Sequence, residues 1–195
     1  MKDYKVQSIG RASVQHLIRE GHYLKSWPGI VVGIVGLVEA VLFVRGVIVF
    51  ALPPKDTPKR YNVTVCWELA RLFVEDGTPK NTESWFIRRA IAWVRQSHPE
   101  VEVLVSYADP AYGHQGTVYK ASNWIRDGTT DEGRKTPRPD YYFAGKKYSR
   151  MAHLPPGANY QLVYRLPKYR YVYWLDGKHE VRRQAARAQS TLVAS

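Results

Sequence analysis

The sequence predicts an α/β (α+β) domain with a mixed, mostly antiparallel central sheet flanked by helices. Three observations lead there. Residues 30–52 form a valine- and isoleucine-rich stretch that reads as a hairpin of buried strands. An apolar run at 63–74, a helical pattern at 82–97 and a short apolar run at 101–106 then follow in strand–helix–strand order. Two short strands joined through a helix of that length pair in parallel by a right-handed crossover. The hairpin before them and the tyrosine-rich strands after them supply antiparallel neighbours.

Taken in order, residues 11–20 suit a short helix that Gly21 ends. His22-Tyr23 and the turn signal Ser26-Trp27-Pro28-Gly29 follow, and the hairpin of 30–52 turns near 38–41. Pro53 to Pro58 is a loop and 63–74 a strong strand. Asn81, Thr82, Glu83 and Ser84 are residue types that cap helix N-termini, and the helix they open carries Ile87, Ala90, Ile91 and Val94 as an apolar stripe, with Arg88 and Arg95 on another face. Pro99 stops it. A buried strand at 101–106 leads to Ala108-Asp109-Pro110, then to a short helix around 115–123, a charged loop at 127–140 and strands in the tyrosine-rich region. The basic tail from about 177 reads as frayed or helical over 181–192. The length, 195 residues, suits a single domain over 1–195 that buries a core without covalent staples.

Charge narrows the partners. Lys and Arg number 29 against 17 acids, a net charge of +12, which favours a polyanion, and nucleic acid is the commonest. The cations are spread along the chain and interleave with 14 tyrosines and 6 tryptophans. That mixture suits stacking on unpaired bases, and strand propensity accounts for the same aromatics. The single cysteine, Cys66, excludes an internal disulfide, points to a reducing compartment and reads as a buried structural thiol. The N-terminus is polar and lacks a signal-peptide pattern. Glu39 and Arg45 interrupt residues 30–52, where each would be costly in a bilayer, so this stretch reads as strands and no membrane partner is expected.

Candidate chemistry gathers at a few positions. Arg71 alternates with Trp67, Leu69 and Phe73, so a guanidinium on that face needs a partner. Either it forms a structural ion pair with Glu68, Glu75 or Asp76, or it enters a pocket and holds an anion or a carboxylate such as Asp109. Ser106 and Asp109 lie at the carboxyl end of a parallel strand, where α/β sheets gather ligands. Asp109 can take a proton or orient a nucleophile; an Asp-Pro turn is its plainer reading. Gly113 and Gly116 flank His114 and let backbone approach a ligand, and Tyr119 offers a phenol as general acid or as a packed aromatic. No P-loop or dinucleotide fingerprint and no zinc spacing occurs. A mixed set of His22, Asp109 and His114 would suit iron or another divalent ion, though nothing in the spacing requires it.

The blocks Glu68-Leu69-Ala70-Arg71-Leu72, Asn81-Thr82-Glu83-Ser84-Trp85-Phe86 and, most specifically, 106–124 (from Ser106-Tyr107-Ala108-Asp109 through Gly113-His114-Gln115-Gly116-Thr117-Val118-Tyr119 to Asn123-Trp124) resemble the Mom family of bacteriophage DNA-modification proteins. His22-Tyr23 and Lys168-Tyr169-Arg170-Tyr171 extend the resemblance over roughly 14–176. That family is similar to the GNAT-type N-acetyltransferases, whose core has the element order read above. The resemblance implies an acetyltransferase-like sheet and a transferase that converts adenine in phage DNA to its N6-carbamoylmethyl derivative, shielding it from restriction in the cytoplasm of the bacterial host. It implies DNA as partner, acetyl-CoA or a related donor as cofactor, and His22, Arg71, Ser106, Asp109 and Tyr119 as catalytic residues. Tyr119 matches the tyrosine that acetyltransferases use to protonate the coenzyme A thiolate. Asn81, Thr82, Glu83 and Ser84 stand where those enzymes bind pyrophosphate. The loop at 77–84 departs from their Arg/Gln-x-x-Gly-x-Gly/Ala pattern. An acetyltransferase acting on a small amine or protein, and a non-enzymatic DNA-binding protein, are the rival readings.

Overall fold

The computed structural model describes residues 4–40 and 43–193. Seven strands form the main sheet: β1 (Tyr4–Ser8), β2 (Val31–Glu39), β3 (Phe43–Ala51), β4 (Cys66–Val74), β5 (Val103–Ala108), β6 (Ile125–Thr129) and β10 (Tyr169–Trp174), in the order β1-β2-β3-β4-β5-β10-β6. Every neighbouring pair is antiparallel except β4 and β5. The mixed, mostly antiparallel sheet is therefore the one the sequence predicts. A second sheet, β8-β7-β9, holds β7 (Pro139–Phe143), β8 (Lys146–Tyr148) and β9 (Gln161–Tyr164).

The crossover between the parallel strands is α3 (Thr82–Ser97). Its buried side chains Phe86, Ile87, Ala90, Ile91 and Val94 recur at helical spacing and pack on Val35, Leu37, Ile48, Phe50, Trp67, Leu69 and Leu104 of the sheet. Burial of each larger member stabilises by about 1.5–3 kcal/mol. A smaller core on the opposite face joins Val47 and Val49 to Val14, Leu17 and Ile18 of the N-terminal helix. That helix, α1 (Arg11–His16), widens into a π turn over Leu17–Gly21, where the His22 amide closes on the Leu17 carbonyl.

Several details differ from expectation. Residues after Pro54 are not all loop: α2 (Thr57–Tyr61) forms with Pro58 in its first turn. The strand expected at 101–106 sits two residues later. Strand β2 runs on to Glu39, so the turn starts at Ala40, and position 41 of the expected turn lies outside the described residues. Glu39 and Arg45, read as interrupting charges, pair at 2.7 Å near the hairpin end. Among the described residues, no helix is long and apolar enough to cross a membrane. The tail forms α5 (His179–Val193), whose start is anchored rather than frayed. His179 stacks on Tyr173 at 3.8 Å, and its Nε2 lies 2.7 Å from the Asn123 carbonyl.

Strand β4 parts from β5 after three paired residues, Cys66–Val103, Trp67–Leu104 and Glu68–Val105. Beyond them β4 follows β3 while β5 follows β10, and a wedge opens between. A β-bulge accompanies the parting: Phe50 pairs with Leu69 but Val49 pairs with Arg71, leaving Ala70 extra. The bulge reverses the side-chain alternation. Trp67 and Leu69 join the α3 core, as do Leu72 and Val74, whereas Phe73 packs on the α1 side.

On the far side of the wedge, α4 (Thr117–Ala121) begins at Gly116, whose φ of 70° is left-handed. A Cβ there would stand 2.3 Å from the Tyr171 ring, and the Tyr171 hydroxyl donates to the Gln115 carbonyl at 2.9 Å. Replacing Gly116 with Ala combines backbone strain and overpacking, and we expect it to cost about 2–4 kcal/mol. Urea denaturation checks this as a lowered midpoint at unchanged slope.

Candidate active site

The parting of β4 and β5 leaves a cleft of about 650 Å³, within the size range of ligand pockets. The loop after α1 contributes His22 and Tyr23, β4 contributes Glu68 to Leu72, and α3 contributes Glu83. The segment 113–119 forms another wall, and Arg138, Arg165, Leu166 and Lys168 close the rim.

Ser106, 1 % exposed, bridges the wedge at its apex. A backbone amide would meet the Leu69 carbonyl in a continued ladder; the Ser106 hydroxyl donates to it instead, at 2.8 Å. Tyr119 Oη lies 2.7 Å from Ser106 Oγ. Because Ser106 has one proton and the carbonyl only accepts, the Tyr119 phenol is the donor in that second bond. Burial pushes the Tyr119 pKa up, so the phenol is neutral at physiological pH. Ser106 supports Tyr119 from behind, and Tyr119 itself lines the cleft.

Arg71 lies in the cleft wall but does not meet Asp109, Glu75 or Asp76. The bulge carries it onto the opposite side of the sheet from Trp67 and Leu69, beside Val49. Its Nε donates to the Ser26 carbonyl at 2.8 Å and its Nη1 to the Ala70 carbonyl at 2.6 Å. It ties the bulge to the loop that carries His22 and Tyr23. The expected Arg71–Asp109 pair is therefore corrected: the partner of Asp109 is Lys168, at 2.9 Å. Asp109 also accepts from the Ala111 amide at 3.1 Å, capping the turn Pro110–Tyr112. Buried and occupied, Asp109 stands behind the cleft wall, whereas Lys168 faces the cleft. Asp109 thus orients a cation at the cleft rim.

His22 is buried, and its Nδ1 accepts from the Leu24 amide at 3.1 Å, which places its proton on Nε2. Burial, then the nearby Arg71 charge and His114, lower its pKa to about 4. His22 is thus a neutral hydrogen-bond donor at neutral pH. Its ring stacks on Tyr23 at 4.5 Å, and Tyr23 meets Tyr112 at 4.6 Å and His114 at 4.7 Å.

The sequence reading treated Glu68 only as a possible Arg71 partner, but the structure sets it in the cleft at the last parallel pair before the strands separate. Burial raises its pKa, while Arg71 and Lys168 pull it back down. A carboxylate so tuned is a candidate proton acceptor. Its signal in the sequence was a lone acid in a strand apolar but for Arg71.

Of the four residues expected to hold a cofactor, Glu83 alone lines the cleft. Thr82 Oγ1 donates to the Pro79 carbonyl at 2.6 Å and Ser84 Oγ to the Asn81 carbonyl at 3.1 Å; Asn81 adopts a left-handed φ of 68° and caps nothing with its side chain. Their hydroxyls serve the loop itself. The Glu83 carboxylate lines the cleft in the first turn of α3, where a pyrophosphate drawn to the helix N-terminus would meet like charge. These four side chains offer no cation to the nucleotide end of acetyl-CoA. Nor do the site residues fit the expected metal: among the described residues no three His, Cys, Asp or Glu side chains converge, and Asp109 and His22 Nδ1 are already engaged. Cys66 is buried away from this chemistry, its thiol pushed up to about 12 by burial.

A model of the Mom protein family matches residues 3–191. The chain is similar to the methylcarbamoylase Mom of Escherichia phage Mu, 42% identical over 57 residues, which is 29% of this chain and 24% of that relative's length. Among solved structures it is similar to a spermidine N-acetyltransferase chimera from Vibrio cholerae (TM-score 0.57, 8% identity, 90% of this chain and 97% of that one). It also resembles a Salmonella typhimurium acetyltransferase solved with acetyl-CoA (TM-score 0.51, 12% identity, 89% and 94%). These establish an N-acetyltransferase fold.

The His22 environment makes a titration prediction. Its folded pKa is below the unfolded value of about 6.5, so its contribution to stability is present above pH 6.5 and is lost as pH falls towards 4. The loss reaches up to about 3 kcal/mol. Thermal melts across pH 4–7 should show this decline, and His22→Gln should flatten it.

Proposed function

Because the chain belongs to the Mom protein family, we propose that it is a transferase acting on adenine N6 in DNA, adding a carbamoylmethyl group that protects phage DNA from restriction in the host cytoplasm. The phage Mu relative is a methylcarbamoylase, which supports the group transferred. The net charge of +12 supports the polyanionic substrate. The observation that carries the reading is the convergence of Glu68, His22 and Tyr119 on one cleft beside the parted strands.

The N6 lone pair is delocalised into the purine ring, and the amino edge is paired in duplex DNA. The base must therefore leave the stack, and the Tyr23 ring on the cleft wall offers a surface for it. As the N–C bond forms at the methylene carbon of a donor X–CH2–CO–NH2, the C–X bond breaks with its electron pair passing to X. Glu68 takes the N6 proton. Tyr119 turns its O–H from Ser106 towards the leaving group and protonates it, so the products are the N6-carbamoylmethyl adenine and HX. The neutral His22 donates from Nε2 to the carboxamide oxygen, and Lys168, held by Asp109, adds positive charge at the rim.

Digestion of DNA from cells expressing the chain, followed by nucleoside mass spectrometry, should detect N6-carbamoylmethyl adenine. An acetyl adduct, or unmodified DNA, would contradict the reaction. We expect Glu68→Gln and Tyr119→Phe each to lower the rate about 10²- to 10⁴-fold. Glu68 must be ionised to act, so activity should fall on acidification with its midpoint above the ordinary Glu value of about 4.3.

A further inference from the structure

Strands β6 and β10 are antiparallel neighbours in the main sheet, and a short turn would suffice to join them. Instead the chain departs over residues 130–168 and builds the separate β8-β7-β9 sheet. Connections held on a rigid scaffold are where binding residues concentrate.

The insertion contains eight Lys and Arg against three acids, and all three acids are engaged. Asp131 pairs with Arg138, Glu132 with Arg170 at 3.0 Å, and the buried Asp140 with both Arg165 and Lys147. Among the described residues, Arg150 has no carboxylate partner and is exposed. It faces a second hollow of about 350 Å³, lined by Arg138, Pro139, Tyr141, Ser149, Arg150 and Arg165. Three guanidiniums, two hydroxyl-bearing residues and no acid surround it. Arg138 spends Nε on Asp131, and Arg165 spends Nε and Nη2 on Asp140, so each keeps further N–H groups for another acceptor. Both arginines also line the main cleft. The two cavities share a wall.

We propose that this hollow is a phosphate site that takes the phosphodiester of the DNA strand next to the adenine in the cleft. The inference rests on the DNA-modifying reading above. Arginine forks match phosphate oxygens, and a cavity adjoining the base site is where the backbone of an extruded nucleotide must run. Arg150 supplies the uncommitted charge. Arg138 and Arg165 are held in place by their carboxylates and bridge the two cavities. The same phosphate chemistry is carried by the nucleotide end of a coenzyme A-class donor. The hollow favours the DNA strand because it opens on an insertion whose strand β9 is exposed throughout and whose cations outnumber its acids eight to three.

The test compares wild type with Arg150→Ala and Arg150→Glu in the full chain. Binding of an adenine-containing duplex is followed by fluorescence anisotropy over a potassium chloride series, and binding of acetyl-CoA by calorimetry. Expected are an unchanged melting temperature, a several-fold weaker duplex affinity for Arg150→Ala whatever the sequence, and a larger loss for Arg150→Glu. The slope of log affinity against log salt should fall by about one. Unchanged duplex affinity, or a loss confined to acetyl-CoA, overturns the proposal. Nucleoside analysis of DNA modified by the wild type separates the two levels: absence of any modified adenine there sinks the DNA-modifying reading, whereas wild-type modification with undiminished duplex binding by both variants sinks the hollow alone.

Discussion

The hydrogen bond from Ser106 to the Leu69 carbonyl is the interaction on which the site depends. Two parallel strands that separate must leave backbone groups without ladder partners, and a buried carbonyl left bare costs about 1–3 kcal/mol. Ser106 stands one residue beyond the last parallel pair, Glu68–Val105, and its hydroxyl reaches across to that carbonyl. The same oxygen receives the Tyr119 proton, so the group that ends the ladder also orients the phenol. The second carbonyl exposed by the bulge, that of Ala70, is satisfied by Arg71. Parting, bulge and phenol are one structural unit.

Charge is distributed on a similar logic. The buried guanidinium of Arg170 meets Asp127 and Glu132 and the Thr129 carbonyl, fastening β10 to β6 at the root of the insertion. Breaking such a pair strands a buried charge and costs several kcal/mol. Asp109 and Lys168 form the corresponding contact at the cleft rim. Acids are thus consumed where they fix arginines and lysines in place, which leaves the outer face of the insertion positive. Glu68 differs from these, a carboxylate inside the cleft whose charge is countered by Arg71 and Lys168 without a direct bond.

Much of the fold was legible because its signals are local. The stripe Ile87, Ala90, Ile91 and Val94 gave the helix at Thr82–Ser97 with the bounds observed, and strand–helix–strand order gave the parallel pair. Strand β1 was missed because five mostly polar residues become a strand only by pairing with β2. The site was less legible. Strict alternation along β4 set Arg71 on the face of Leu69, and the bulge at Ala70, which no residue pattern announces, moved it. The Asp109–Lys168 contact joins residues far apart in the chain, and a single sequence holds no sign of it. Arg71 and Tyr119 stood out by residue pattern and, with His22, by resemblance to a family, and all three line one cleft. Ser106 and Asp109 lie behind its wall.

The central claim is that the wedge between β4 and β5 receives an extruded purine between Glu68 and Tyr23, with Tyr119 beyond it. The most direct measurement is a crystal structure of the chain bound to duplex DNA. The account predicts one adenine turned out of the helix, its N6 within hydrogen-bonding distance of the Glu68 carboxylate. A duplex bound with all its bases stacked, or an extruded base lodged away from the wedge, would contradict it.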